Sequence, residues 1–112
     1  LAQKKGFEVF VSDRGEIKAE FKLELEKSKI PYEELQHSKS KIFDASEVIK
    51  SPGIPDKVPL IKELKKRGIL VISEIEFASR FTDATIIGIT GSNGKTTTTK
   101  LIFHLLKNYQ YQ

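Results

Sequence analysis

One glycine-rich segment carries the residue types that bind phosphate groups. The run Gly88-Ile89-Thr90-Gly91-Ser92-Asn93-Gly94-Lys95-Thr96-Thr97 follows an apolar stretch and precedes a segment with helical periodicity. Small residues let backbone N–H groups approach phosphate oxygens, and a helix start adds unpaired N–H donors and a positive dipole end. Lys95 adds a full positive charge, and the Thr96 hydroxyl is a possible ligand for Mg²⁺. The segment therefore predicts binding of a nucleotide phosphate.

This loop is a variant of the general phosphate-binding pattern. The general pattern places a glycine six residues before its lysine, where this chain has Ile89, and Gly91 stands closer. Two structural alternatives remain open: a glycine turn that serves packing alone, and threonines 96–99 acting only as caps at a helix start. No acidic residue follows Lys95. We therefore expect the acidic partner of a Mg²⁺ site to lie elsewhere in a longer protein, and no ATP turnover by this stretch alone.

Composition excludes several classes of protein. The chain has 112 residues, 19 Lys and Arg against 15 Asp and Glu, and no Cys, which argues against a disulfide scaffold. Its longest apolar run is far shorter than the ~20 residues that span a bilayer. The densest basic run, 65–67, falls at an expected helix end, where cations complement the helix dipole. We expect no nucleic-acid or membrane partner and, without a secretory signal, a cytoplasmic location. Because there is no Met, we also expect a piece of a longer protein.

Hydrophobic periodicity predicts alternating strands and helices. Strands are predicted over 7–11, 30–33, 47–50, 69–72 and 85–90, the last two buried on both faces. Helices are predicted over 16–28, 57–67, 74–80 and 95–108, a surface loop over 36–41 and a rigid turn over 51–55. The alternation indicates the α/β class, with a Rossmann-like parallel sheet whose first strand would precede Leu1. We expect one partial domain over 1–80, a linker over 81–84, and the opening strand, loop and helix of a second domain over 85–112.

Three segments resemble a known family. The loop 90–97 closely resembles the ATP-binding loop of the Mur ligases, the amide ligases of peptidoglycan precursor synthesis, and folylpolyglutamate synthases share a related loop. The turn 51–54 and the stretch 72–77 are similar to segments of the family branch that joins D-glutamate to UDP-N-acetylmuramoyl-L-alanine. The resemblance covers most of the chain. It implies that 1–80 is most of a UDP-substrate-binding domain, that 85–112 begins an ATP-binding domain, and that further domains of the same protein complete the enzyme.

The resemblance also implies a reaction and roles for single residues. ATP would activate the substrate carboxylate as an acyl phosphate, which the amine of D-glutamate then attacks. Lys95 matches the catalytic phosphate-binding position, and Thr96 matches the Mg²⁺ position. The surrounding ATP-binding positions match Gly91, Ser92, Asn93, Gly94 and Thr97. Asp13 matches an acidic residue that contacts uracil, and Gly53 matches a backbone contact to the UDP substrate.

Plainer interpretations stay open beside these roles. Asp13 lies at a strand end, where it can be a turn residue only, and Gly53 can belong to a rigid turn. The family often has a basic residue two places after the acidic one, whereas here Arg14 is adjacent, so its role is open. We expect His37 and His104 to be solvent-edge residues rather than ligands or bases. The functional alternatives are another Mur ligase, a folylpolyglutamate synthase, or a nucleotide-binding module that forms no bonds.

Overall fold

The computed structural model describes residues 1–109 and divides into two compact units, Leu1–Thr82 and a second that begins at Asp83. The first unit alternates strands and helices after a short 3₁₀ helix, Gln3–Lys5. In chain order they are β1 (Val11–Ser12), α1 (Ala19–Lys27), β2 (Tyr32–Glu33), α2 (Lys39–Phe43), β3 (Glu47–Lys50), α3 (Pro59–Lys66), β4 (Leu70–Ser73) and α4 (Glu74–Ser79). The order confirms the predicted α/β class.

All strand pairing in the first unit is parallel. Strand β1 pairs with β2, with Ser12 opposite Glu33, and α1 forms the crossover between them. Strand β3 pairs with β4 from Glu47 opposite Leu70 to Lys50 opposite Ser73, with α3 in the crossover. Among the described residues these are two separate two-stranded sheets. Parallel strands joined by helices confirm the Rossmann-like prediction for this unit.

The core of the first unit forms around α3. Ile61 and Leu64 lie three residues apart on one helix face, and both are buried, Leu64 completely. They pack with the buried Ile42 of α2 and against the half-buried Val48 and Val71 of β3 and β4. Helix α3 begins with Pro59 at its first turn and ends before Gly68, as its sequence predicts. This packing holds the carboxyl end of β3 and the turn that follows it.

Within its described residues, 83–109, the second unit has one helix, α5 (Lys95–Asn108), as predicted. No residue of 83–109 is buried, and Ile86 and Leu101 are 58% and 59% exposed. Nowhere in residues 1–109 is there a helix with the length and apolar character needed to cross a membrane.

Two strand predictions are wrong for a shared physical reason. Residues 85–90 form no strand, and the strand predicted over 7–11 is limited to Val11–Ser12. A strand exists only where a neighbour supplies its hydrogen bonds, and only Tyr32–Glu33 lies opposite β1. Burial of β4 on both faces is also wrong, because Leu70 is 50% exposed.

Two helix predictions differ from the structure because residues distant in sequence supply unforeseen contacts. The predicted loop over 36–41 gives way to α2, whose Ile42 is buried against α3. Helix α1 begins at Ala19 rather than residue 16. Its start is delayed because the Ile17 backbone N–H donates to Glu34 Oε2 at 2.9 Å, and the Ile17 side chain is buried.

Candidate functional site

The glycine-rich loop leads directly into α5. Gly94 is the residue that caps this helix, with φ at +79°, and Gly91 has φ at +143°. Both angles are unfavourable for residues that carry a Cβ, so the loop needs glycine at these two positions. The cap at Gly94 involves no side-chain hydrogen bond. The first-turn N–H groups therefore have no side-chain acceptor competing for them.

Lys95 folds back over the loop that precedes it. Its Nζ donates to the Gly91 carbonyl oxygen at 2.5 Å and lies 3.4 Å from the Ser92 carbonyl oxygen. An ammonium group has three donors, so one remains for another acceptor while both carbonyls are engaged. The ammonium group is thus held beside the backbone that the sequence predicts as the phosphate cradle.

The other predicted loop residues are open to solvent. Ser92, Asn93, Thr96 and Thr97 are exposed. Thr99 behaves differently, because its hydroxyl donates back to the Lys95 carbonyl oxygen at 2.8 Å. Residues 1–109 contain no group of three or more His, Cys, Asp or Glu side chains that could hold a metal ion. The predicted Mg²⁺ position at Thr96 therefore has no such group beside it within the described residues.

Asp13 lies directly after β1, in a turn that is anchored from both sides. Its Oδ1 accepts a hydrogen bond from the Gly15 backbone N–H at 2.7 Å, and Gly15 O accepts from Leu35 N at 3.1 Å. Asp13 therefore acts as a turn residue. Its side chain is nevertheless exposed and can accept further hydrogen bonds. It lines a cavity of about 580 Å³ that is bounded mainly by α1 and the segment before it.

Glu34, the residue after β2, supports the segment that follows the same turn. The Lys22 ammonium at 2.7 Å and the Ile17 N–H at 2.9 Å donate to its two carboxylate oxygens. These hydrogen bonds hold the pKa of Glu34 below its ordinary value, and the bond from Lys22 has the larger effect. The charged form of Glu34 therefore ties helix α1 to the backbone that presents Asp13.

Gly53 lies in the tight turn after β3. Ser51 O accepts from Ile54 N at 3.0 Å, and the Lys50 ammonium closes the turn by donating to Ile54 O at 2.6 Å. Lys50 also pairs with Asp56 at 3.3 Å. A Cβ at Gly53 would meet no atom within 4 Å, so its outer face is open to a ligand. Asp13 and Gly53 thus follow strands of two different sheets, and no hydrogen bond joins them within the described residues.

The two histidines differ from each other. His104 is exposed on α5, beside the ring of Phe103, in agreement with prediction. His37 is half-buried instead, and its Nδ1 lies 2.7 Å from the Ser12 hydroxyl. That hydroxyl also lies 2.8 Å from Glu33 Oε1. Sequence reasoning missed this cluster because the three residues come from two strand ends and a predicted loop.

Glu33 is the charged residue at the centre of this cluster. Burial by itself raises the pKa of Glu33, but hydrogen bonds from Ser38 and Ser12 and the charge of Lys41 outweigh burial and leave the pKa lowered. Glu33 therefore accepts hydrogen bonds as a carboxylate at neutral pH.

Parallel strand pairs with helical crossovers define a Rossmann-like α/β protein, here followed by a glycine-capped helix. Residues 1–59, more than half of the chain, match the family described as MurD N-terminal domain. The chain belongs to this family.

Curated relatives agree with the family assignment. The chain is 59% identical over 107 residues to the UDP-N-acetylmuramoylalanine--D-glutamate ligase of Christiangramia forsetii. The aligned segment covers 96% of this chain and 24% of the relative. It is 58% identical over 108 residues to the ligase of the same name from Bacteroides thetaiotaomicron, with 96% and 24% covered. For the one from Porphyromonas gingivalis the identity is 55% over 106 residues, with 95% and 24% covered. The chain thus spans about a quarter of the length of these relatives.

Proposed function

We propose that the protein containing this chain is an ATP-dependent ligase that adds D-glutamate to UDP-N-acetylmuramoyl-L-alanine in peptidoglycan precursor synthesis. The observation that carries the proposal is the glycine-capped start of α5 with the Lys95 ammonium folded over the preceding loop. The family match and the names of the relatives support the choice of substrate. The chain would supply most of the UDP-substrate domain and the first part of the ATP domain.

The loop would bind the terminal phosphates of ATP. Backbone N–H groups from Gly91 to Thr97 and the third donor of Lys95 would neutralise phosphate oxygens, as helix starts do with anions. Mg²⁺ would supply charge neutralisation on the phosphates, and Thr96 would hold it together with acidic residues from the rest of the protein. Transfer of the γ-phosphate from ATP to the substrate carboxylate would form the acyl phosphate and release ADP. Attack of the D-glutamate amine on the acyl carbon would then form the amide bond, release inorganic phosphate and complete the proposed reaction.

The first unit would hold the UDP substrate. The exposed Asp13 carboxylate can accept hydrogen bonds from uracil, and the open face of Gly53 lets backbone approach the substrate where a Cβ would intervene. Both residues follow the carboxyl ends of parallel strands, which is the edge at which α/β proteins bind their ligands.

The test is phosphate release by the full-length protein with ATP, Mg²⁺ and UDP-N-acetylmuramoyl-L-alanine. We expect release to depend on D-glutamate. Failure to bind the UDP substrate would favour a relative such as a folylpolyglutamate synthase, and binding of both nucleotides without phosphate release would favour a module that forms no bonds. Phosphate release that depends on a different amino acid instead of D-glutamate would favour another Mur ligase.

A further inference from the structure

A buried carboxylate lies at the carboxyl end of β2. Glu33 is 7% exposed, and its Oε1 accepts hydrogen bonds from Ser38 N at 2.7 Å and the Ser12 hydroxyl at 2.8 Å. Its Oε2 is buried without a hydrogen-bond partner among residues 1–109. Burying a charged group destabilises a fold unless the group is well paired, so a half-satisfied carboxylate at this strand end calls for a purpose other than stability.

The carboxylate fixes the direction of a chain of hydrogen bonds. Because a carboxylate has no proton to give, the Ser12 hydroxyl must donate to Glu33. The single hydroxyl proton is then used, so the 2.7 Å contact between Ser12 Oγ and His37 Nδ1 takes its proton from the histidine. His37 is therefore held with its proton on Nδ1, which leaves Nε2 of the neutral ring as a free acceptor.

This chain of hydrogen bonds lies beside the residue expected to bind the substrate. Ser12 and Glu33 are opposite each other in the register of β1 and β2. Asp13 comes next along the chain, and its backbone N–H donates to the Glu33 carbonyl oxygen at 3.0 Å. His37 and Asp13 are thus attached to the same pair of residues, at the strand edge where ligands of parallel sheets bind.

His37 is equipped for a ligand contact. The residue is half-buried rather than enclosed, and its Nε2 forms no hydrogen bond within the part of the chain that the structure describes. An acceptor of fixed orientation suits a ligand that presents N–H or O–H groups. The nucleoside part of a UDP compound has both, at uracil N3 and on the ribose.

We propose that His37 Nε2 accepts a hydrogen bond from the uridine part of the UDP substrate, and that Ser12 and Glu33 are positioning residues that hold the ring in the required tautomer. The assignment rests on the proposed function, because it takes the strand edge at Asp13 as the UDP site. It adds a contact residue that lies in neither the Asp13 turn nor the Gly53 turn.

UDP binding to the full-length protein, measured by titration calorimetry, tests this assignment. His37→Asn keeps a donor at the level of Nδ1 and removes Nε2, so we expect UDP affinity to fall about tenfold, the size of one lost hydrogen bond. ATP affinity and the melting temperature should keep their wild-type values. His37→Gln, whose amide reaches the position of Nε2, should recover most of the UDP affinity. His104→Asn, on the exposed face of α5, is the matched control and should change nothing.

Nitrogen NMR of the histidine rings provides a readout without ligand. The wild-type protein should show the His37 proton on Nδ1, and Ser12→Ala should shift it toward Nε2, the usual tautomer of a free imidazole. A wild-type ring protonated on Nε2 would contradict the chain of hydrogen bonds.

The two proposals fail in different ways. Equal UDP affinity of the wild-type and His37→Asn proteins would overturn the role of His37 and leave the ligase proposal intact. A wild-type protein that binds neither UDP nor UDP-N-acetylmuramoyl-L-alanine would overturn both.

Discussion

The two units of this chain carry their candidate sites in opposite ways. In Leu1–Thr82 the turns at Asp13 and Gly53 follow paired strands, and the core around Leu64 holds one of those pairs in place. From Asp83 to Tyr109 no side chain is buried, yet the glycine-rich loop and the start of α5 are formed. Glycine φ angles and the short-range hydrogen bonds of Lys95 shape the glycine-rich loop, whereas the turns at Asp13 and Gly53 depend on tertiary packing. We therefore expect substitutions in the second unit to lower activity, and substitutions in the core of the first unit to lower stability.

The largest expected effect is on catalysis through the second unit. Lys95→Ala in the full-length protein removes the charge aimed at phosphate, so we expect kcat to fall by about 10²–10³, or roughly 3–4 kcal/mol of transition-state stabilisation. Stability should be unchanged, because Lys95 is exposed and its partners are backbone carbonyls. Steady-state phosphate release measures the change, with the exposed Lys100→Ala on the same helix as control. Near-normal turnover of Lys95→Ala would refute the role of this lysine.

The first unit should show the reverse pattern at its core. Leu64→Ala leaves a cavity in a fully buried position, and we expect it to lower the free energy of unfolding by about 3 kcal/mol. Native-state hydrogen exchange of the β3 and β4 amides in the full-length protein would report the loss. The exposed Lys62→Ala of α3 should leave exchange unchanged. If both variants exchange alike, the packing that supports the Gly53 turn is not the core described above.

Asp13 should affect substrate binding alone. Asp13→Ala removes an exposed acceptor, so we expect the KM for the UDP substrate to rise about tenfold while kcat stays within about twofold, the pattern of lost uniform binding. Steady-state kinetics of the full-length protein gives both parameters. Asp44→Ala, a change at another exposed aspartate, is the control. An unchanged KM would reject the uracil contact.

Acid should weaken the first unit, and this is the smallest effect. Hydrogen bonds from Lys22 to Glu34, and from Lys65 and then Lys50 to Asp56, lower the pKa of both carboxyls. A lowered native pKa contributes stability above the unfolded pKa, and this stability is lost as pH falls through the native value. For Glu34 the loss begins below its ordinary pKa of 4.5. Residues 84–112 contain no Asp or Glu.

Melting curves between pH 7 and pH 3 would follow this effect. The Glu34→Gln protein should lose less stability on acidification than the wild type, because its hydrogen bonds no longer depend on a charge. Equal losses would show that the pairing of Glu34 with Lys22 does not contribute to acid stability.

Local signals explain how much of this structure could be predicted. The apolar spacing of α3, its Pro59 start and the stop at Gly68 were readable, as was α5 after Gly94. The failures involve partners distant in sequence: residues 85–90 have no neighbouring strand, and α2 forms because Ile42 meets α3.

The candidate sites follow the same rule. The glycine-rich loop is continuous in sequence, so its residues could be named from the sequence, and its phosphate-binding role stays a prediction. The cluster of Ser12, Glu33 and His37 comes from three segments that only the pairing of β1 with β2 brings together. No periodicity or motif predicts such a cluster, because it is held by hydrogen bonds between residues that are distant in sequence.

A crystal structure of the full-length protein with a non-hydrolysable ATP analogue and Mg²⁺ tests the central claim most directly. We expect terminal phosphate oxygens within hydrogen-bonding distance of the Asn93 and Gly94 N–H groups and of the Lys95 ammonium, with the metal ion at the Thr96 hydroxyl. A nucleotide bound at any other place, with the Lys95 ammonium still engaged only by the carbonyls of Gly91 and Ser92, would contradict it.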